Sequence, residues 1–218
     1  MNSTGAIILA GGMAQRIGQH KASVRLSGIP LLVHVVARLR LVFDNILVLG
    51  DSTQLPSLAG VEVVADTVRD KGPLGGLFTG LLRSETERNF VCACDMPYLN
   101  PRLIQALLLL SSESDVTVPV VRGFIEPLHA VYSKRCLDAI EGCLSRQALQ
   151  LKQFYSFVCV RRVPQTIVLR TDPQLKSFLN INTEADLRSC NAQQIITPTL
   201  LTRVQSWAAP AAKTVALS

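Results

Sequence analysis

The chain has 218 residues, of which 48% are hydrophobic and 17% charged, and its formal net charge is +6. These values exclude a largely disordered protein, because a chain of this length and hydrophobicity can bury a substantial core. They fit a single folding unit that binds a polyanion such as a nucleotide. The basic residues are scattered and form no Lys/Arg block, so we do not expect nucleic-acid binding.

The sequence predicts neither a membrane span nor a signal peptide. The longest nearly apolar stretch, LIQALLLL at residues 103–110, is much shorter than the ~20 residues that cross a bilayer. The amino-terminal MNST lacks a basic segment, and the apolar run behind it ends at Gly11. The six cysteines include no C-x-x-C pair, which favours buried free thiols over disulfides or a zinc site. We therefore expect a cytoplasmic protein.

Short apolar runs alternate with helical patterns along the chain. The sequence predicts strands at 6–10, 45–50, 61–65, 89–95, 115–121, 128–133, 157–163 and 166–170, and an extended piece at 23–28 with a turn at Ser27–Gly28. It predicts helices at 29–42, 100–112 and 134–146, a loop that turns into a helix at 72–84, and a short helix after Thr183. The alternation indicates a largely parallel sheet that is covered on both faces.

Two helix starts carry recognisable capping residues. Asn100 is a predicted N-cap that is followed by Pro101, and Thr183 is a predicted N-cap with Asp186 at the acidic position of a capping box. After Ala192 the pattern weakens into a segment rich in Ala, Pro and Thr. We predict one domain at residues 1–191 and a loosely held tail at 192–218.

The segment LAGGMAQRIGQHK, at residues 9–21, follows the first predicted strand. Ligands of open α/β sheets bind at the carboxyl ends of the strands, and glycines there let the backbone present its N–H groups to a ligand. Arg16 and Lys21 can neutralise phosphate oxygens. The segment matches neither a P-loop nor a G-x-G-x-x-G fingerprint. It predicts a triphosphate site, and the alternative is an ordinary glycine turn with two surface cations.

Two aspartates come at the ends of later predicted strands. Asp95 ends NFVCACD beside the presumed triphosphate site, where a carboxylate is well placed to hold Mg²⁺ together with phosphate oxygens and waters. Asp66 follows VEVVA and precedes GPLGG, whose proline and three glycines allow an unusual backbone path. We interpret Asp66 as an acceptor of hydrogen bonds from the nucleotide. The alternative is that each aspartate only caps a turn.

These segments together resemble the molybdenum cofactor guanylyltransferases, the MobA-like family of nucleotidyltransferases. The first segment is similar to the family signature L-A-G-G-x-x-x-R-[IM]-G-x-x-K, and LSGIPLLVHVVARL is similar to the pattern that follows it. The segments DTVRDKGPLGG, CDMPYL and NINTEADL are similar to later family motifs, and the resemblance extends to about Arg188. Sugar-phosphate relatives usually have a proline before the lysine, where this chain has His20.

The resemblance implies a three-layer α/β/α, Rossmann-like nucleotidyltransferase fold with a central, mostly parallel sheet. It implies transfer of GMP from GTP to the terminal phosphate of molybdopterin that carries molybdenum, with release of pyrophosphate and formation of the guanine dinucleotide cofactor. The implied cofactor is Mg²⁺, and the implied partners are GTP, molybdopterin and, transiently, proteins that deliver or accept the cofactor.

Three alternatives stay open at this point. One is a cytidylyltransferase that acts on molybdopterin or another phosphorylated cofactor, although LAGG in place of LAAG favours GTP over CTP. The others are a sugar-phosphate nucleotidyltransferase and a nucleotide-binding module that has lost catalysis, against which the intact Arg16, Lys21 and Asp95 argue.

The resemblance also assigns roles to individual residues. It implies catalytic roles for Arg16, Lys21 and Asp95, with Asp95 as the metal ligand, and acceptor binding by Asn180 and Asn182. It implies a nucleotide site formed by Leu9, Ala10, Gly11, Gly12, Lys21, Asp66 and Asp95.

Several further positions are less clear from the sequence. Glu126 and Pro127 are weak candidates for the acceptor side, and His129 is given no role because a lone histidine on a β-run is more often a core residue. The family often has an asparagine at the end of the second strand, where this chain has Leu49 with Asp51 two residues later. Either Asp51 or a backbone group would then contact the base.

Overall fold

The structure is a computed structural model that describes residues 4–11, 13–14, 19–20, 23–56, 58–68 and 70–191, with the backbone alone described at 13, 14, 19, 20 and 191. Gly12, Arg16, Lys21 and the predicted tail at 192–218 lie outside the described residues.

The strands of the described residues are, in chain order, β1 (Thr4–Leu9), β2 (Met13–Ala14), β3 (Gln19–His20), β4 (Arg25–Leu26), β5 (Ile29–Pro30), β6 (Ile46–Leu49), β7 (Glu62–Val64), β8 (Arg88–Ala93), β9 (Val116–Val121), β10 (Phe124–Ile125), β11 (His129–Ser133) and β12 (Val160–Val163). The α-helices are α1 (Leu31–Leu39), α2 (Gly72–Arg83), α3 (Pro101–Leu109), α4 (Leu137–Ser145), α5 (Gln165–Thr171) and α6 (Glu184–Asn191). Short 3₁₀ turns lie at Lys134–Cys136, Gln153–Phe157 and Lys176–Phe178.

The central sheet has the strand order β10-β9-β11-β8-β1-β6-β7, and β12 pairs with β9. Strand β1 is parallel to both β6 and β8, β6 is parallel to β7, and β12 is parallel to β9. Strand β11 is antiparallel to both of its neighbours, β8 and β9, and β10 forms an antiparallel hairpin with β9. The predicted mostly parallel sheet is confirmed, with β11 as an antiparallel insertion that the sequence did not reveal.

Helices cover both faces of this sheet. One apolar core contains buried residues of α1, α3 and α5 against one face, and a second contains residues of α2, α4 and the turn at Gln153–Phe157 against the other. The structure therefore confirms three layers. No helix among the described residues is long and apolar enough to cross a membrane.

Several local predictions are confirmed. Both residues of the Ser27–Gly28 turn have positive φ, at 52° and 80°, as a two-residue hairpin turn between β4 and β5 requires. The Asn100 side chain accepts a hydrogen bond from the Arg102 amide and caps α3. At the start of α6, the Thr183 hydroxyl accepts from the Asp186 amide while the Asp186 carboxylate accepts from the Thr183 amide, which is the predicted capping box.

Two local predictions are wrong. The short strand expected at 166–170 is part of helix α5, which buries Val168 in the core. The prediction of six buried thiols also fails in part, because Cys159 is exposed, although Cys92, Cys94, Cys136 and Cys143 are buried and free as expected.

The glycine-rich segment GPLGG is helical from its first residue, whereas the sequence predicts a loop that turns into a helix there. It forms the first turn of α2, and Gly72 alone has a positive φ, of 59°. Two glycines of α2, one in this segment and one after it, allow close packing: a Cβ on Gly76 would lie 3.2 Å from Leu9 Cδ2, and one on Gly80 would lie 2.7 Å from Ile7 Cγ2. Glycine at these positions therefore lets α2 lie directly on β1.

Candidate functional site

A pocket of about 550 Å³ opens at the carboxyl edge of the parallel strands. The strand order reverses around β1 there, because β6 and β7 extend the sheet on one side and β8 on the other, and such a switch point is where open α/β sheets bind ligands. Its lining consists of strand ends, the first turn of α2 and two later loops: Leu9, Gly11, Leu49, Gly50, Asp66, Gly72, Pro73, Gly76, Ala93, Cys94, Asp95, Leu128, Asn180 and Asn182.

Backbone hydrogen bonds hold the strand ends together at the base of the pocket. The Ala10 amide donates to the Leu49 carbonyl at 2.8 Å, and the Cys94 amide donates to the Leu9 carbonyl at 3.2 Å. Ala10 is buried, and because its amide donates to Leu49, that amide is part of the sheet. Of the predicted backbone contacts of the first loop that the structure describes, Leu9 and Gly11 lie in the pocket lining and Ala10 does not.

Asp66 lies two residues beyond β7 and reaches the pocket from the end of that strand. Its Oδ1 accepts hydrogen bonds from the Val68 amide at 3.0 Å and the Thr79 hydroxyl at 2.8 Å. Its Oδ2 lies 3.8 Å from the position that a Cβ would take on Gly76. Asp66 therefore caps a local turn, which is the alternative role that the sequence left open, and it also lines the pocket.

The first turn of α2 contributes a feature that sequence reasoning missed. Gly72, Pro73 and Gly76 all line the pocket, so the amino-terminal end of a helix of 12 residues faces it. The partial positive charge and the unpaired amides at a helix amino terminus favour anions such as phosphates. Pro73 at the first turn was the available signal, because proline is common at that position of a helix.

Asp95 lies just beyond β8, and its side chain is 3% exposed. Its carbonyl accepts a hydrogen bond from the Ile181 amide at 2.9 Å, which joins the end of β8 to the segment that contains Asn180 and Asn182. Ile181 itself is buried, in a small cluster with Val24, Leu26 and Leu31. Because alternate residues of an extended segment face opposite ways, burial of Ile181 leaves both asparagines in the pocket lining, as their spacing predicted.

A buried polar network holds the turn at Lys176–Phe178, which comes just before this asparagine segment. Asp172 is 5% exposed and accepts hydrogen bonds from the amides of Lys176 and Ser177. The Ser177 hydroxyl in turn accepts from the Asn100 amide, at the start of α3. The segment itself is bonded to Asp95, and the turn just before it is bonded to the start of α3. Asp172 belongs to no recognisable sequence motif, and only these contacts reveal its structural role.

Asp51, one of the two candidates for a contact with the base, has its carboxylate in local hydrogen bonds. The Asp51 Oδ1 accepts from both the amide and the hydroxyl of Thr53, and its Oδ2 accepts from Gln54 Nε2. Its carboxylate thus closes a local turn, whereas Leu49 and Gly50 line the pocket. The end of β6 is therefore the part of this region that borders the pocket.

The weak candidates on the acceptor side are placed differently from the expectation. Leu128 lines the pocket, while Glu126 and Pro127 do not. Burial raises the pKa of Glu126. His129 is fully buried between Phe90 and Phe178, with ring centroids 5.0 and 4.8 Å away, and burial lowers its pKa to about 3. It is a core residue, which agrees with the absence of a role in the sequence analysis.

The donor set fits Mg²⁺ bound together with a substrate. No group of three or more His, Cys, Asp or Glu that could hold a metal is found within the part of the chain that the structure describes. Asp95 offers a carboxylate in the lining of a pocket of about 550 Å³, and Mg²⁺ is commonly held by one or two carboxylates plus phosphate oxygens and waters.

An open α/β sheet with glycines, carboxylates and a helix amino terminus around one pocket at its switch point is the architecture of a nucleotide-binding α/β protein. The model of the MobA-like NTP transferase domain matches residues 6–159, and the chain belongs to this family.

Individual relatives match most of the chain. The "Probable molybdenum cofactor guanylyltransferase" of Pelotomaculum thermopropionicum is 33% identical over 86% of this chain and 91% of its own length. The "Molybdenum cofactor guanylyltransferase" of Desulfosudis oleivorans is 34% identical over 88% of this chain and 96% of its own. The crystal structure of molybdopterin-guanine dinucleotide biosynthesis protein A from Archaeoglobus fulgidus has a TM-score of 0.75 at 26% identity, and covers 86% of this chain and 96% of that one.

Proposed function

We propose that this protein transfers GMP from GTP to the terminal phosphate of molybdopterin that carries molybdenum, and releases pyrophosphate. The observation that carries the proposal is the convergence of Asp66, Asp95, Asn180 and Asn182 with the amino terminus of α2 in one pocket of about 550 Å³. The names of the relatives support the same reaction. A cytoplasmic location and transient contacts with proteins that deliver or accept the cofactor belong to this proposal.

The reaction makes one bond and breaks one bond at phosphorus. An oxygen of the acceptor's terminal phosphate attacks the α-phosphorus of GTP, and pyrophosphate leaves with the electron pair of the α–β bridging bond. No protein nucleophile is required, since the chemistry depends on positioning and on neutralising charge. The nearby Cys92 is a poor candidate for a nucleophile. Burial, and then the neighbouring Cys94 and Asp95, raise the pKa of its thiol well above the usual value, which disfavours the reactive thiolate.

Bringing two phosphate groups together requires positive charge around them. The amino terminus of α2 supplies part of it, and Arg16 and Lys21 of the first loop supply a further part in this proposal. Asp95 would hold Mg²⁺. When bound, the ion neutralises phosphate charge and holds oxygens in place.

The two substrates would occupy different sides of the pocket. Leu49, Gly50 and Asp66 come from the β6–β7 side, and we assign the nucleoside of GTP to them. Asn180 and Asn182 come from the segment bonded to Asp95, and their amides suit a polar acceptor. The reacting phosphates would then meet between β1 and β8, next to Asp95.

The test is pyrophosphate release by the purified protein with GTP or CTP, each with and without molybdenum-loaded molybdopterin and Mg²⁺. We expect release only with GTP, acceptor and metal together, and a mass spectrum that shows the guanine dinucleotide product. A preference for CTP, or turnover with a sugar 1-phosphate as acceptor, would overturn the proposal in favour of one of the alternatives from the sequence.

A further inference from the structure

We infer that Thr79 is a positioning residue that fixes the orientation of Asp66 for nucleotide binding. The inference rests on the proposed function, because it assigns Asp66 to the nucleotide. Thr79 lies in the second turn of α2, is fully buried and does not line the pocket. Neither the sequence motif nor the composition of α2 singled it out.

The contact between the two side chains is direct. The Thr79 hydroxyl donates to Asp66 Oδ1 at 2.8 Å, and it lies 3.1 Å from the hydroxyl of Thr67. A threonine hydroxyl has one proton. Because the ionised carboxylate can only accept, that proton goes to Asp66, and Thr67 must donate to Thr79. The result is a directed chain from Thr67 through Thr79 to Asp66, and such chains strengthen each bond.

This chain of hydrogen bonds determines which carboxylate oxygen of Asp66 faces the nucleotide. Oδ1 is held by two donors, the Thr79 hydroxyl and the Val68 amide, on the side of the turn and of α2. Oδ2 lies by Gly76, a pocket residue, at 3.8 Å from the position of a Cβ there. The lack of a side chain on Gly76 keeps that space open. Thr79 thus acts on the nucleotide through Asp66, without touching it.

A merely structural role for Thr79 predicts different results. A buried hydroxyl also contributes to stability when it is hydrogen-bonded, wherever it lies in the fold. Thr117 provides the matched control, since it is equally buried and bonds the Ser114 hydroxyl at 2.7 Å but is not part of the pocket lining. A readout specific to the nucleotide separates the two roles.

The experiment measures GTP binding in the presence of Mg²⁺ by isothermal titration calorimetry, without an acceptor. We expect Thr79→Val to weaken binding about tenfold, the size of one lost hydrogen bond to a charged group. We expect Thr79→Ser to bind as wild type does, because it restores the hydroxyl. Thr117→Val should leave the Kd unchanged. In an Asp66→Ala background, Thr79→Val should have no further effect.

Several outcomes would overturn the inference. It is wrong if Asp66→Ala weakens binding while Thr79→Val does not, and in that case the proposed role of Asp66 stands. It is also wrong if Thr79→Val weakens binding equally with and without Asp66. Normal binding by Asp66→Ala removes the role of Asp66 together with the inference, and failure of the wild type to bind GTP overturns the proposed function itself.

A second variant decides the matter if Thr79→Val does not fold. Thr67 is exposed, so Thr67→Ala removes the outer donor of the chain without disturbing the core. A twofold to threefold weaker Kd, roughly the share expected from one cooperative neighbour, supports the inference. Unchanged GTP binding by Thr67→Ala would overturn it.

Discussion

Replacement of Asp95 by asparagine separates a catalytic role from a structural one. The substitution keeps the shape of the side chain and removes its charge, in a position that is 3% exposed. A bound Mg²⁺ stabilises the transition state by several kcal/mol, and we take about 3–5 kcal/mol for the loss of its carboxylate ligand at a site this well buried. At 1.36 kcal/mol per tenfold, Asp95→Asn should lower kcat by about 10²–10⁴.

The fold should survive this substitution, because removing a buried charge also removes its desolvation cost. The matched control is Asp172→Asn, at a second buried aspartate that lies outside the pocket lining. Its two oxygens each accept a backbone amide, from Lys176 and Ser177, and asparagine has only one acceptor oxygen. Asp172→Asn should therefore lower the free energy of unfolding by about 1–3 kcal/mol.

Two measurements decide between the roles: kcat from pyrophosphate release, and the free energy of unfolding from urea titration. We expect Asp95→Asn to lose turnover and keep its stability, and Asp172→Asn to lose stability. Turnover of Asp95→Asn within tenfold of wild type would refute the metal role. A loss of stability like that of Asp172→Asn, with activity retained in the folded fraction, would make Asp95 a turn cap.

Three further predictions use other parts of the structure. Gly80→Ala should destabilise the protein by about 1–3 kcal/mol in urea unfolding, because its Cβ would lie 2.7 Å from Ile7 Cγ2. Gly142→Ala is the control: its Cβ would lie 3.5 Å from the nearest atom, and it should stabilise the protein by up to about 1 kcal/mol. Equal effects of the two substitutions would contradict the close packing of α2. Burial lowers the pKa of His129 from 6.5 to about 3, so as the pH falls the unfolded state binds this proton before the folded state does. The free energy of unfolding should therefore be highest above pH 6.5 and fall by up to about 1.4 kcal/mol per pH unit between pH 6.5 and about 3. His129→Leu should flatten this slope, and an unchanged slope would refute the buried neutral imidazole. Asn180→Ala should raise the KM for the acceptor severalfold and leave the Kd for GTP unchanged, and a change in GTP binding alone would place Asn180 on the nucleotide side.

Much of the fold follows from local sequence signals. Glycine at the second position of the turn at Ser27–Gly28, the N-cap Asn100 and the capping box of Thr183 and Asp186 all act within a few residues, so their structures do not depend on the rest of the chain. The parallel strands β1, β6 and β8 are buried along most of their length because both of their faces are covered.

The errors occur where a local pattern permits two structures. The run TIVLR, at residues 166–170, is too short for its periodicity to distinguish a strand from a helix. Pro164 ends β12 in an extended conformation, and the chain then turns into α5 so that Val168 reaches the core. The glycines of GPLGG likewise permit a bend or a tightly packed helix, and contact with β1 selects the helix.

The sequence by itself determined the residue types of the site and their places at strand ends: glycines after β1, carboxylates at Asp66 and Asp95, and two asparagines with the spacing of an extended segment. Only the tertiary structure decided which of these meet, because strand order depends on long-range pairing that no local pattern records. It placed the amino terminus of α2 against the pocket, turned Asp51 away into its own hydrogen bonds, and held Asp66 through Thr79. Residue chemistry is a local property, and the convergence of that chemistry is a property of packing.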